Sequence, residues 1–302
     1  MAMKNWRPRR LRDEPTPGDG SGPILIHALD GFLGAGSASR LAAQQLLTGN
    51  GEVVHEFDLD EMFDYRARRP TIAFRENHYA DYDDPTLQVV LEHDGNGEPY
   101  LVMAGPEPDF LWERFVSEVH DVIEEHDVSL TLGLGAVPMG VPHTRPAMIT
   151  AHGTRPELVD RQNMWSAQVT VPSSAQSLLE YRLGQWGLDA AGYVVHVPHY
   201  LAQIDYPPAA LALIDALVDR TGLVIDAERL RARQGDALKE IEDQIEEQGG
   251  ASLLSGLEEQ YDAFTRGAAQ SLLASDEDLP SGDELADQFE QFLARQRKDE
   301  QN

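Results

Sequence analysis

One loop of the chain concentrates groups that bind charge. Gly133-Leu134-Gly135-Ala136-Val137-Pro138-Met139-Gly140-Val141-Pro142-His143-Thr144-Arg145-Pro146 ends with a titratable ring, a hydroxyl and a fixed cation side by side. Arginine presents a planar fork that matches a carboxylate or phosphate in two parallel bonds. The chemistry on offer at His143, Thr144 and Arg145 is therefore recognition of an anion, or of a partner protein's carboxylate. The loop follows a buried apolar run, and open α/β sheets bind ligands at the carboxyl ends of their strands. A plainer alternative stands beside this: a rigid proline-bracketed loop whose polar groups satisfy its own backbone.

A second candidate is the glycine-rich turn Asp30-Gly31-Phe32-Leu33-Gly34-Ala35-Gly36-Ser37. Gly31, Gly34, Gly36 and Ser37 precede a helical pattern, and a helix amino terminus offers N–H groups and positive dipole charge to an anion. The spacing is G-x-x-G-x-G, which is not the dinucleotide fingerprint, and no lysine assists as in a phosphate loop. Close packing of strand and helix is the plainer use of these glycines.

Other chemistries find little support. The ten histidines form no H-E-x-x-H set, and His196 and His199 have Pro198 between them with no third ligand in view. Gly34-Ala35-Gly36-Ser37-Ala38-Ser39 does not match a nucleophile elbow. Lysine occurs at Lys4, Lys239 and Lys298, two in the tails and one in a Glu-rich helical run. None suits a phosphate-loop, Schiff-base or kinase role. Cysteine is absent, which removes disulfides, thiolate metal sites and cysteine nucleophiles. No cofactor and no resident metal is expected. Trp165, Trp186 and Tyr181 are expected in the core or at oligomer contacts. Arg66, Arg68 and Arg69 form a basic spot that would pair with an acidic partner, such as the tail of a neighbouring copy, or close a local salt-bridged loop.

The elements that must position these groups read as an α/β alternation. Ile24 to Leu29, Val53 to Phe57, Leu87 to Leu91, Tyr100 to Ala104, Ser129 to Gly135, Met148 to His152 and Tyr193 to Val197 read as strands. Helices are expected over Ala38 to Leu47 with Ser37 as cap, from Asp109 as cap to His126, from the opening Pro172-Ser173-Ser174 through Leu183, and over Ala209 to Arg220. The first strand, helix and second strand read as a β-α-β unit entering a parallel sheet. Asp94-Gly95-Asn96-Gly97 reads as a hairpin turn, and residues 60–85 as irregular. The expected fold is a three-layer α/β/α sandwich over residues 23–225, preceded by a flexible leader at 1–22. Residues 226–302 form a helical acidic extension: Asp226 to Gln248, Ser252 to Leu273 and Asp283 to Arg297. Its apolar stripes, Ile241 and Ile245 or Leu253, Leu254 and Leu257, need a surface on this chain or a neighbour.

The 302 residues carry 52 Asp+Glu against 24 Lys+Arg, a formal charge of −28. A field of that sign repels phosphate backbones, so no nucleic acid is expected as partner. No apolar run reaches membrane-spanning length and no signal peptide is recognisable, so no membrane and a cytoplasmic location are expected.

Three stretches carry a family resemblance: Leu25-Ile26-His27-Ala28-Leu29-Asp30-Gly31-Phe32-Leu33-Gly34-Ala35-Gly36; Gly135-Ala136-Val137-Pro138 with Val141-Pro142-His143-Thr144-Arg145-Pro146; and Val197-Pro198-His199-Tyr200 with Tyr206-Pro207-Pro208-Ala209-Ala210 and Leu223-Val224-Ile225-Asp226. Together, over roughly residues 23–265, they resemble the PAC2 family, the proteasome-assembly-chaperone-2-like proteins, in an actinobacterial long form. The resemblance implies a phosphorylase-like α/β/α architecture and proteins that bind other proteins without a known catalytic set. Some members dock into proteasome pockets through a hydrophobic-Tyr-X tail, and this chain instead ends Lys298-Asp299-Glu300-Gln301-Asn302. The expectation is a non-catalytic chaperone-like or scaffold protein that binds other proteins and forms a homo-oligomer, a trimer among the candidates. The competing class is a phosphate, nucleoside or carboxylate binder, or an enzyme, working at the strand ends.

Overall fold

Ile24-Leu25-Ile26-His27-Ala28-Leu29-Asp30 is apolar on both faces, which suits a strand covered from both sides, and it becomes the central strand β1 (Ile24–Asp30). The computed structural model describes residues 22–159, 169–247 and 249–271, with side chains described to residue 266. The expected leader before Gly22, Trp165 and the helix Asp283 to Arg297 lie outside the described residues.

β1 is flanked by two parallel neighbours, β6 (Pro99–Pro106) and β7 (Leu130–Met139). β7 pairs in parallel with β9 (Ala190–Pro198), and β8 (Ile149–Gly153) closes that side antiparallel. On the other side β5 (Gln88–His93) runs antiparallel to β6 through the Asp94–Gly97 turn, where Asp94 Oδ1 accepts the Asn96 and Glu98 N–H groups. β2 (Glu52–Glu56) is the far edge, so the sheet order is β2-β5-β6-β1-β7-β9-β8.

Helices lie on both faces. α1 (Ala38–Leu46) and α5 (Pro207–Thr221) cover Ile26, Ala28, Leu132, Leu134, Val195 and Val197. α3 (Trp112–Glu125) and α4 (Ala175–Gln185) cover Leu25, Leu29, Leu101 and Met103 on the other face, together with the short α2 (Leu59–Met62). The fold is therefore a three-layer α/β/α sandwich around a mixed seven-stranded sheet. α6 (Glu228–Glu247) joins the α1/α5 layer through buried Leu230 and Ile241, with Ile245 packed alongside. α7 (Ala251–Ser271) buries Leu257 and leaves Leu253 57% exposed.

Several local expectations need correction. β2 does not pair with β1; its Glu52, His55 and Glu56 suit a half-solvated edge, and two strands separate it from β1. Ser37 occupies the cap position of α1, but in the left-handed region and without a capping bond. Asp109 does not cap α3: Leu111 holds that position at φ 56°, while the Asp109 carboxylate accepts Asp64 N–H and Arg68. The helix opened by Pro172-Ser173-Ser174 starts as α4, and Ser174 caps it with a reciprocal bond to Ser177. Residues 60–85 are not wholly irregular. Besides α2 they form a hairpin, β3 (Ala73–Arg75) with β4 (His78–Ala80), whose short polar-aromatic strands carry no apolar alternation to reveal them. Trp186 is partly buried against α3, whereas Tyr181 is 61% exposed.

Candidate functional site

The turn after β1 is held by its own backbone. Gly34 bridges to Ala136 of β7, Ala136 N–H donates to Leu33 O at 2.7 Å, and Ser37 N–H donates to Gly34 O at 3.0 Å. Gly36 sits at φ +63° against Val197 and Tyr206; its N–H donates to Ala202 O at 2.8 Å and its carbonyl accepts Tyr206 N–H. A side chain there would meet both the positive φ and that wall. Among the described residues, the N–H groups of Gly36 and Ser37 thus have partners within the chain.

A protein carboxylate already lies beside this turn. Glu107, just beyond β6, accepts Phe32 N–H at 2.7 Å through Oε2 and Ala175 N–H at 2.7 Å through Oε1. It ties the turn to the amino terminus of α4, where a negative charge is favoured. Gly31 is a glycine because a Cβ there would collide with the Glu107 side chain. Next to it opens a cleft of about 530 Å³ lined by Asp30, Phe32, Glu107, Asp109, Trp112 and Arg68. Arg68, the middle of the basic spot, pairs with Asp109 at 2.5 Å, donates to Glu107 O and stacks over Phe63 at 4.4 Å. Arg66 and Arg69 stay exposed.

The second candidate meets the C-terminal extension. Arg145 forks onto Asp262, with Nε and Nη2 each 2.9 Å from a carboxylate oxygen, and Nη1 reaches Glu258 at 3.1 Å. Thr144 donates to the same Glu258 carboxylate, and Tyr261 donates to Pro146 O at 2.9 Å. Arg145 holds the Asp262 carboxyl below its usual range, and the paired carboxylates raise the Arg145 guanidinium further. The loop's carboxylate-recognition chemistry is thus directed at α7 of the same chain. His143 is buried, with Nδ1 2.8 Å from the Tyr200 hydroxyl and Nε2 without a partner. Burial pushes its ring below the ordinary histidine range, against the pull of Glu242 and Glu258.

The two candidates face different neighbours. Gly31 borders the acidic cleft, Gly36 packs under Tyr206, and His143 to Arg145 sit beneath α7.

Sequence reasoning passed over His27. It lies on β1 with the α3/α4-facing residues, is 1% exposed, and neither ring nitrogen has a hydrogen-bond partner. Burial, helped by the charge of His152, pushes its pKa down to about 3. The signal was available, since a central parallel strand buries both faces. His152 pairs with Glu180 at 2.7 Å beside a groove of about 470 Å³ between β8 and α4. His196 lies 2.9 Å from Thr150 Oγ1, and burial lowers its pKa. Among the described residues, three metal-ligating side chains come together at His120, Asp121 and Glu124, on α3. No helix among the described residues is long and apolar enough to cross a membrane.

Comparison with known proteins places this geometry among relatives. The model of the PAC2 family matches residues 28–248. A Mycobacterium tuberculosis protein of unknown function is similar at 44% identity and TM-score 0.78, covering 82% of this chain and 88% of that one. A Corynebacterium glutamicum protein of unknown function is similar at 34% identity and TM-score 0.77, covering 84% and 96%. A Mycobacterium tuberculosis proteasome-assembly chaperone homologue shares the fold at 22% identity and TM-score 0.68, covering 74% and 95%. No curated protein matches the chain.

Proposed function

This chain belongs to the PAC2 family, and from that premise we propose that it is a non-catalytic, chaperone-like protein that assembles with copies of itself and binds other proteins. The observation that carries the reading is an apolar surface that no described residue covers. The β3–β4 hairpin presents Phe74 at 63% exposure and Tyr79 at 70%, stacked edge to face at 5.2 Å, with Ile72 and Tyr82 exposed beside them. A two-stranded ribbon has marginal stability in water, and exposed apolar clusters of this kind mark protein contacts. The chaperone homologue of the same fold supports the same class of role. Arg145 fits it too, since its carboxylate-binding fork is engaged by Asp262 rather than open to a substrate.

Native mass spectrometry of the full chain, beside the double variant Phe74→Ser/Tyr79→Ser, tests this. The wild type is expected as a homo-oligomer, a trimer among its forms, and the variant as a monomer with an unchanged circular dichroism spectrum. A monomeric wild type, or a variant that assembles equally well, overturns the hairpin contact. A small-molecule adduct held through gentle purification would instead favour the ligand-binding alternative at the strand ends.

A further inference from the structure

We propose that the cleft at the carboxyl ends of β1 and β6 is the docking site of this chain's own basic arm, residues 4–12. The cleft holds three carboxylates, Asp30, Glu107 and Asp109, against one cation, Arg68. Two of the three are already engaged: Glu107 by the Phe32 and Ala175 N–H groups, Asp109 by Asp64 N–H and Arg68. The Asp30 side chain is exposed and accepts no hydrogen bond from the described residues. Trp112 and Phe32, the latter 56% exposed, form the walls. A free carboxylate between aromatic faces is the chemistry that takes up a guanidinium or ammonium with an apolar flank, through an ion pair and a cation–π contact.

The chain carries such a segment. Lys4, Arg7, Arg9, Arg10 and Arg12 place five of the 24 Lys+Arg within nine residues, interleaved with Trp6, Pro8 and Leu11. Those residues lie outside the described ones and lead to Gly22, whose carbonyl accepts Ser129 Oγ at the amino end of β1. From there the cleft lies one strand length away, about 25 Å at 3.3 Å per residue. The 12 to 18 residues between Gly22 and Arg10 or Lys4 span about 40–60 Å when extended, enough to pass around the α3/α4 layer. Every other acidic surface of a protein at −28 attracts the same cations, and the aromatic walls are what single out this one.

Zero-length carbodiimide coupling on the full-length protein tests the proposal, because Lys4 is one of only three lysines. At low salt, peptide mass spectrometry should find Lys4 joined to Asp30, Glu107 or Asp109 of the same chain. That yield should fall several-fold in Phe32→Ala, which keeps every carboxylate, and in Arg7→Gln/Arg9→Gln/Arg10→Gln, which keeps Lys4. It should fall again at about 0.5 M salt, where the screening length drops to a few ångströms. A mixture of isotopically labelled and unlabelled protein separates the sources. Coupling confined to labelled–unlabelled pairs overturns docking within the chain. Coupling spread over unrelated acids, equal yield in Phe32→Ala, or no Lys4 coupling overturns the site.

Discussion

His27 is a neutral imidazole enclosed by protein, with its pKa near 3 against 6.5 in an unfolded chain. Protons therefore bind the unfolded state and not the native one between those two values. The contribution is fully retained above pH 6.5 and is lost as pH falls from 6.5 toward 3. Over the span from pH 7 to pH 5 this one group removes about 2 kcal/mol of stability, at about 1.4 kcal/mol per pH unit below 6.5. Urea unfolding at the two pH values should show that loss in the wild type and a visibly flatter dependence in His27→Leu. Equal slopes would mean that the ring is hydrated in the native protein. Arg145 makes the contrasting case. Its fork onto Asp262 is partly exposed, so its value is local order and not a deep well of energy.

That local order belongs to α7, which is fastened to the sandwich by Arg145, Thr144 and Tyr261. Among its described side chains only Leu257 is buried, so the polar fastenings carry much of the docking. In Arg145→Gln, amide exchange across Ala251–Ser271 should accelerate several-fold while exchange in β1 and β7 stays as it was. Unchanged exchange in α7 would show that Leu257 and the turn after α6 suffice to hold it. The β3–β4 hairpin is the opposite kind of element: its aromatics lie outward, so its contribution is to contact and not to the core.

For the molecule as a whole, self-repulsion at −28 opposes compaction, and salt screens it. The melting temperature should rise between about 0.05 and 0.5 M NaCl, while the same salt weakens the Arg145 fastening and speeds exchange in α7. A melting temperature that falls instead would mean that the specific ion pairs, such as Arg155 with Asp189 and Arg182 with Glu113, outweigh the net charge. The seven-stranded sheet itself sets the frame in which both effects act, since its two apolar faces are covered by helices, and Glu92 on β5, a carboxylate only 3% exposed, is held there by the Thr48 N–H and hydroxyl.

What was legible in the sequence is what depends on neighbours along the chain. The buried strand β1, the Asp94–Gly97 turn and the helix opened near Ser174 each follow from local pattern, and with them the layer count. The family too rests on such local stretches. Partner choice across the fold was decided by tertiary structure alone. Which strand β2 joins, which carboxylate sits beside the glycine turn, and which anions Arg145 grips depend on residues 32 to 117 positions away. Residue type announces that an arginine will find an acid in a chain with 52 of them. Only the packing of α6 and α7 onto the sandwich makes Glu258 and Asp262 the ones within reach of a hydrogen bond.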